Sequence, residues 1–391
     1  MFSRISSDFT RGPNRLSAAL VRRRAAGLPI IDLIDSNPTR HGLQYPPTVV
    51  QQVMTTVAAP AAIYEPDPQG QRAARVAICD YYRTHGVDVA AEHLVLTPGT
   101  SQSYWYLFQL LANPGQEILV PQPSYPLFDY IATLCHVTLR PYTLDPAHAW
   151  GIDLARLAAA ITPATRAIVL ISPHNPTGQV ATVDQVAGLA RLAAAHALPI
   201  IADEVFSEFL FRDATLVRPA QSDAPLVFTL NGFSKLLALP GFKLGWIAVS
   251  GQAALVGKAL LALETIADTF LATSELSQLA APALLAQREP FLTTYRAAVA
   301  YRAAQAQQLL AGSARFSFVP PRGGFYLSID VSRVTRNDEN LALDLLLETG
   351  ILLHPGWFYD TPTPHLVLSC LAEEEILART LPRLRAFLES Y

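Results

Sequence analysis

The chain has 391 residues, of which 51% are hydrophobic and 16% charged, with a formal net charge of −3. That length exceeds one ordinary core and predicts a large α/β unit with a smaller second one. The near-neutral balance gives no electrostatic reason to expect nucleic acid or an anionic membrane as a partner.

The N-terminal stretch carries Arg4, Asp8, Arg11 and Arg15 without an apolar run, so no signal peptide is expected. The run Arg22, Arg23 and Arg24 lies in a helical pattern and reads as a solvated helix face. No apolar stretch persists for the ~18 residues of a membrane span. Cys79, Cys135 and Cys370 are widely spaced and odd in number. They suggest reduced thiols in a cytoplasmic protein, with no metal-type pairing.

Between about residues 94 and 250, short aliphatic runs alternate with Ala/Leu-rich helical stretches. The predicted strands are 93–97, 117–120, 137–142, 167–171, 198–202, 226–230 and 244–249. Helices are predicted at 101–111, 153–160 and 183–197, the last opened by a capping box of Thr182 and Gln185. Such alternation means βα units around a mostly parallel, doubly covered sheet. From 251 to about 311 the pattern is helical. Short strands then follow at 316–319, 324–329, 351–354 and 365–370, around a helix near 340–348 and before a final helix from about 373. This last part reads as a small α+β unit.

Ligands of open α/β sheets bind beyond the carboxyl ends of the strands. Those ends carry Pro98-Gly99-Thr100-Ser101, Pro123-Ser124-Tyr125-Pro126, Ser172 to Gly178 with Asn175, Asp203-Glu204, and Ser234-Lys235. A glycine and two hydroxyl residues opening a helix can cradle a phosphate. Tyr125 could stack on a ring, Asn175 could donate to a phenolate oxygen, and Asp203 could pair with a protonated ring nitrogen. Lys235 could form an imine. Taken singly, each has a plainer reading as a cap, filler or solvated group; the ordered set is the signal. Only three of the 29 basic residues are lysines, Lys235, Lys243 and Lys258. Arginine cannot replace a lysine that must lose its proton and attack a carbonyl.

With Tyr64 and the 64–70 segment, Pro240 to Gly245, Gly323-Gly324-Phe325-Tyr326 and His354-Pro355-Gly356, these pieces span roughly residues 30–390. The sequence resembles the class I/II aminotransferases, enzymes of fold type I that use pyridoxal 5′-phosphate (PLP). The resemblance implies a large PLP-binding domain at 51–290 and a small C-terminal domain at 291–391. Residues 1–50 would form an N-terminal arm and part of the small domain. It implies that Lys235 holds PLP as an aldimine and, once displaced, moves the proton between the substrate carbon and the cofactor. Asp203 would keep the ring nitrogen protonated, so that the ring acts as an electron sink. Asn175 would bond the 3′ oxygen, Tyr125 would stack on the ring, and Thr100, Ser101, Ser234 and Lys243 would surround the phosphate. Tyr64 would reach the phosphate of a neighbouring subunit, since family sites are shared in a homodimer.

Three positions depart from the pattern. Phe206 stands where a tyrosine usually shares the 3′-oxygen contact. Lys243 replaces an arginine, keeping the charge and losing the bidentate fork. In His365-Leu366-Val367-Leu368-Ser369, Val367 occupies the place of the arginine that clamps the substrate carboxylate. Arg40, His41 and Arg322 are the alternative carboxylate-binding candidates, and Asn37 to His41, Tyr64, Trp105 and Trp357 the candidate pocket residues. The expected activity is ping-pong transfer of an amino group between an amino acid and a 2-oxo acid. The alternative is a C–S lyase type of α,β-elimination, for which His174 beside Asn175 is a pointer. A non-catalytic PLP-binding regulator is disfavoured, because only about 30 residues precede the first family-like segment.

Overall fold

Residue 5 and residues 12–212, 214–271 and 273–391 are described in the computed structural model of the chain. The expectation about a signal peptide therefore rests mostly on residues outside that set, Arg4, Asp8 and Arg11 among them.

Along the chain the strands are β1 (Ile31–Asp32), β2 (Leu94–Thr97), β3 (Glu117–Gln122), β4 (Thr138–Asp145), β5 (Gly151–Ile152), β6 (Thr165–Ile171), β7 (Ile200–Asp203), β8 (Leu226–Gly232) and β9 (Gly245–Gly251). The later ones are β10 (Ser317–Phe318), β11 (Tyr326–Asp330), β12 (Ile351–Leu352), β13 (His354–Pro355) and β14 (His365–Ser369). Eight strands form the large sheet in the order β2-β9-β8-β7-β6-β3-β4-β5. Neighbours are parallel from β8 through β4, while β9 runs against both of its neighbours and β5 against β4.

The central strands are apolar at nearly every position because both faces are covered. Val169, Ile171, Ile201, Phe228 and Leu230 pack on one side with Tyr104, Phe108 and Leu263. Ile168, Leu170, Ile200, Ala202 and Val227 pack on the other with Leu157, Val186 and Leu189. The sequence expectation of an α/β fold with a mostly parallel sheet is met.

A four-stranded antiparallel sheet, β10-β11-β14-β13, makes the smaller layer. The N-terminal helix Arg15–Ala25 leads into β1, which pairs in parallel with β12 and so ties the start of the chain to its C-terminal part. Capping follows the sequence closely. The Thr182–Gln185 box is present in full, and Asn14, Asp153 and Asn337 each accept a backbone N–H at their helix starts.

Several boundaries moved. The run 316–319 contributes only the two residues of β10, and 351–354 divides into β12 and β13. The helical region after β9 resolves into Ala253–Thr269, Glu275–Ala286 and Glu289–Leu310. Helices Pro47–Val57, Arg72–Thr84 and Leu127–Cys135 were not anticipated.

Candidate active site

The parallel register sets the floor of the site. Ile171 lies beside Asp203, and Asp203 beside Leu230, so β6, β7 and β8 end at nearly one level. β2, although it pairs with β9, runs in the same direction and brings Thr97 level with Gly245 and Gly232. Close backbone approach makes this possible: a Cβ on Gly245 would stand 2.9 Å from Gly99 Cα. Gly99 itself has φ 151°, a region open to glycine. It opens the helix Thr100–Leu111 without a side-chain cap, leaving the first N–H groups available.

A cavity of about 240 Å³ lies beyond these ends, and Thr100, Ser101, Tyr125, Asn175, Asp203, Ser234 and Lys235 all line it. Seven of the nine residues singled out from sequence thus meet in one place. The other two do not line the cavity. Tyr64 is 71% exposed, and Lys243 is exposed in the left-handed conformation, its carbonyl accepting from Thr273 Oγ1 at 3.0 Å. Trp105 packs on Phe270, and Trp357 is largely exposed beside Phe358; neither lines the cavity.

Burial tunes the charged groups. The Lys235 amine loses hydration, which brings its pKa down to about 8, with the negative charge of Asp35 working the other way. Its Nζ donates to the Ser36 carbonyl at 2.8 Å and lies 5.6 Å from the Phe325 ring. Roughly one amine in ten is then neutral at pH 7, far more than for a solvated lysine. Asp203 is pushed up to about 6 by burial, against bonds from the Val205 N–H (3.1 Å) and the Tyr104 hydroxyl (2.8 Å). Asn175 Oδ1 is buried and has no partner. Ile171, Val205, Phe206 and Leu244 supply apolar walls. The result is a slot for a flat polar ring with a carboxylate at one end, a bare amide and an amine along it, and hydroxyls at a helix start.

Sequence reasoning missed Tyr104, Ser36 and a direct role for Tyr326, all of which line the cavity. Tyr104 was legible in principle, being four residues after Thr100 and so on the same helix face. Both Ser36 and Tyr326 come from segments distant in sequence; Tyr326 stood in a family-like piece without an assigned role, and no local signal marks Ser36.

The family model for aminotransferases of class I and II matches residues 30–377. The chain belongs to the class I/II aminotransferases. It is similar to the glutamate-pyruvate aminotransferase AlaA of Escherichia coli strain K12, with 31% identity covering 97% of this chain and 95% of that protein. The alanine aminotransferase of Mycobacterium tuberculosis strain H37Rv is also 31% identical, over 97% of this chain and 90% of its own. A crystal structure of an aminotransferase from Escherichia coli superposes with a TM-score of 0.89 at 29% identity, covering 97% and 95% of the two chains.

Membership makes this a PLP-dependent aminotransferase and gives no support to the elimination alternative. His174 fits that outcome. It is buried with a pKa down to about 3, bonded through Nδ1 to Thr177 Oγ1 at 2.9 Å, and outside the lining of the cavity. The amide of Asn175 at the cavity wall, the buried Asp203 and the uncapped helix start fit PLP by their own chemistry. Bound there, the cofactor supplies a carbonyl for the lysine and a ring that takes up electrons from the substrate carbon.

Proposed function

We propose that the chain transfers amino groups by a ping-pong route in which Lys235 is both the covalent anchor of PLP and the general base. The observation that carries this is the Lys235 amine, with its lowered pKa, in one cavity with Asp203 and Asn175. In that arrangement Lys235 takes and returns the proton of the substrate carbon. Asp203 holds a proton on the ring nitrogen, because two hydrogen bonds and the ring charge favour its ionised form. The Asn175 amide donates to the 3′ oxygen, and Tyr125 covers the ring face. Ser234, Thr100 and Ser101 hold the phosphate together with the first N–H groups of the helix.

The names of the relatives suggest alanine or glutamate as donor and pyruvate or 2-oxoglutarate as acceptor. Exposed Tyr64 supports a homodimer in which each chain completes the phosphate site of its neighbour. Three free, buried cysteines support a cytoplasmic setting. The pairing of β1 with β12 supports residues 1–50 joining the small domain at 291–391, with 51–290 as the large one.

The test is a half-reaction. PLP-loaded protein mixed with L-alanine and no acceptor should give one pyruvate per site and no ammonia. In parallel, L-cysteine, which unlike alanine carries a leaving group on Cβ, is supplied without acceptor; continued release of pyruvate, ammonia and sulfide from it would overturn transfer in favour of elimination.

A further inference from the structure

An amino acid brings a carboxylate that must find a partner. Lys235 is the only cation among the described residues lining the cavity, and its amine is taken up by the chemistry. The nearby small-sheet face offers no charge. Tyr326 pairs with Ser369, and Val367 lies beside both Ser328 and His354, so these residues share the face that Tyr326 turns to the cavity. Val367 is 1% exposed, and Ser328 Oγ is buried without a partner. The His354 ring is brought down to about 4 by burial, stacked on Phe358 and bonded to the Tyr359 hydroxyl, and so is neutral.

The other candidates are placed elsewhere. Arg322 lines a separate cavity with His148, Trp150 and His174. His41 is buried, its Nε2 bonded to the Asp35 carbonyl at 3.0 Å. Arg40 remains. It sits on the short turn Pro38–His41, four residues after Ser36, the residue that lines the cavity and accepts from Lys235. Its side chain is 72% exposed, and Nη1 pairs with Asp35 Oδ2 at 3.0 Å. Asp35 directly precedes Ser36, which lines the cavity and accepts from Lys235, so the pair stands at the cavity rim, and the charge of Asp35 acts on the Lys235 amine. The turn is firmly held. Asp35 Oδ1 accepts from the Asn37 N–H at 2.8 Å, and Asn37 Oδ1 accepts from Thr39 N (3.2 Å) and Oγ1 (2.9 Å).

We propose that Arg40 is the carboxylate-binding residue for an α-amino-acid substrate, using the guanidinium donors that Asp35 leaves open. This rests on the reading of the chain as an amino-acid aminotransferase. Arg40 thereby selects for a carboxylate and also masks Asp35, which would otherwise repel the substrate at the rim. A guanidinium has five donors in a fixed fork, so it can hold Asp35 on one nitrogen and a second carboxylate on the rest.

The test uses PLP-loaded protein with Arg40→Ala, Arg40→Lys and the double variant Arg40→Ala/Asp35→Asn. Steady-state kinetics with L-alanine and 2-oxoglutarate are read beside direct binding of propionate, a carboxylate without an amine, by calorimetry. Arg40→Ala should raise KM for L-alanine and Kd for propionate by about 10- to 100-fold, the scale of one charge-assisted bond, with kcat changed far less. Arg40→Lys should recover part of the loss, and removing Asp35 from Arg40→Ala should recover part as well. KM and Kd within twofold of wild type in Arg40→Ala would overturn the proposal while the aminotransferase reading stands. A wild type that transfers from no amino acid would overturn both.

Discussion

The sheet ends and the small-sheet side of the cavity are built in opposite ways. Each parallel strand end delivers one polar group, with Asp203, Asn175 and Lys235 held by registered backbone and tuned by burial. The small sheet offers Tyr326, and its face around Val367 is apolar or neutral. The floor of the site therefore commits to the cofactor, and charge recognition of the substrate falls to the loop carrying Asp35 and Arg40. A site can keep its chemistry in the rigid sheet while its selectivity is rewritten on a surface turn.

The largest expected effect strikes the floor. Lys235→Ala should lower kcat by at least about 10²–10⁴-fold, the range of general-base catalysis alone, with covalent anchoring lost as well. Steady-state assays of purified variant and wild type check it, and a loss below tenfold would separate the lysine from the chemistry. Asp203→Asn should cost about 10²–10³-fold in kcat, the scale of a removed electrostatic stabiliser, while the fold keeps its buried bond to Tyr104. Thermal melting beside the kinetics distinguishes lost catalysis from lost folding. Damage to kcat from the floor and to KM from Arg40 would hold the comparison together; the reverse pattern would break it.

A stability measurement sharpens the same contrast. The folded pKa of Lys235, about 8, lies below its ordinary 10.5, so the folded state binds its proton less tightly than the unfolded state does. The cost to folding is complete below about pH 8 and fades as pH rises toward about 10.5. In cofactor-free protein, Lys235→Met should thus raise the urea midpoint near pH 7, with the gap closing near pH 10. A gap that holds constant across that range would show that the amine is not desolvated.

The smallest effect concerns Phe206, which packs edge-on to Phe325 (4.9 Å) and Tyr326 (6.0 Å). Phe206→Tyr adds one hydroxyl toward the cavity. It should lower the pH at which PLP-loaded protein changes its visible absorbance, with less than about tenfold effect on kcat. A midpoint that stays put or rises would show that the hydroxyl does not reach the 3′ oxygen.

What was legible in the sequence follows the same division. The strand ends of the large sheet could be read because each functional group follows an aliphatic run by one to five residues, and the sheet converts that spacing into proximity. Val367 was legible as an absence through the resemblance to the family. Arg40 was legible only as one of three candidates for its role; what sets it apart from His41 and Arg322 is the folding of residues 35–42 beside Ser36, which lines the cavity and accepts from Lys235. Tyr326 was visible within Gly323-Gly324-Phe325-Tyr326, but its neighbours arise from antiparallel pairing with β14, which no local pattern reveals. The short strands were misjudged for a related reason: β10, β12 and β13 have two residues each and draw their order from partners rather than from periodicity.

The central claim concerns one amine among three. Borohydride reduction of PLP-loaded protein, followed by peptide mass spectrometry, reports which lysine carried the cofactor. The account expects the pyridoxyl group on Lys235, in stoichiometric yield, with Lys243 and Lys258 unlabelled. A label on Lys243 or Lys258, or on none of the three, would contradict it.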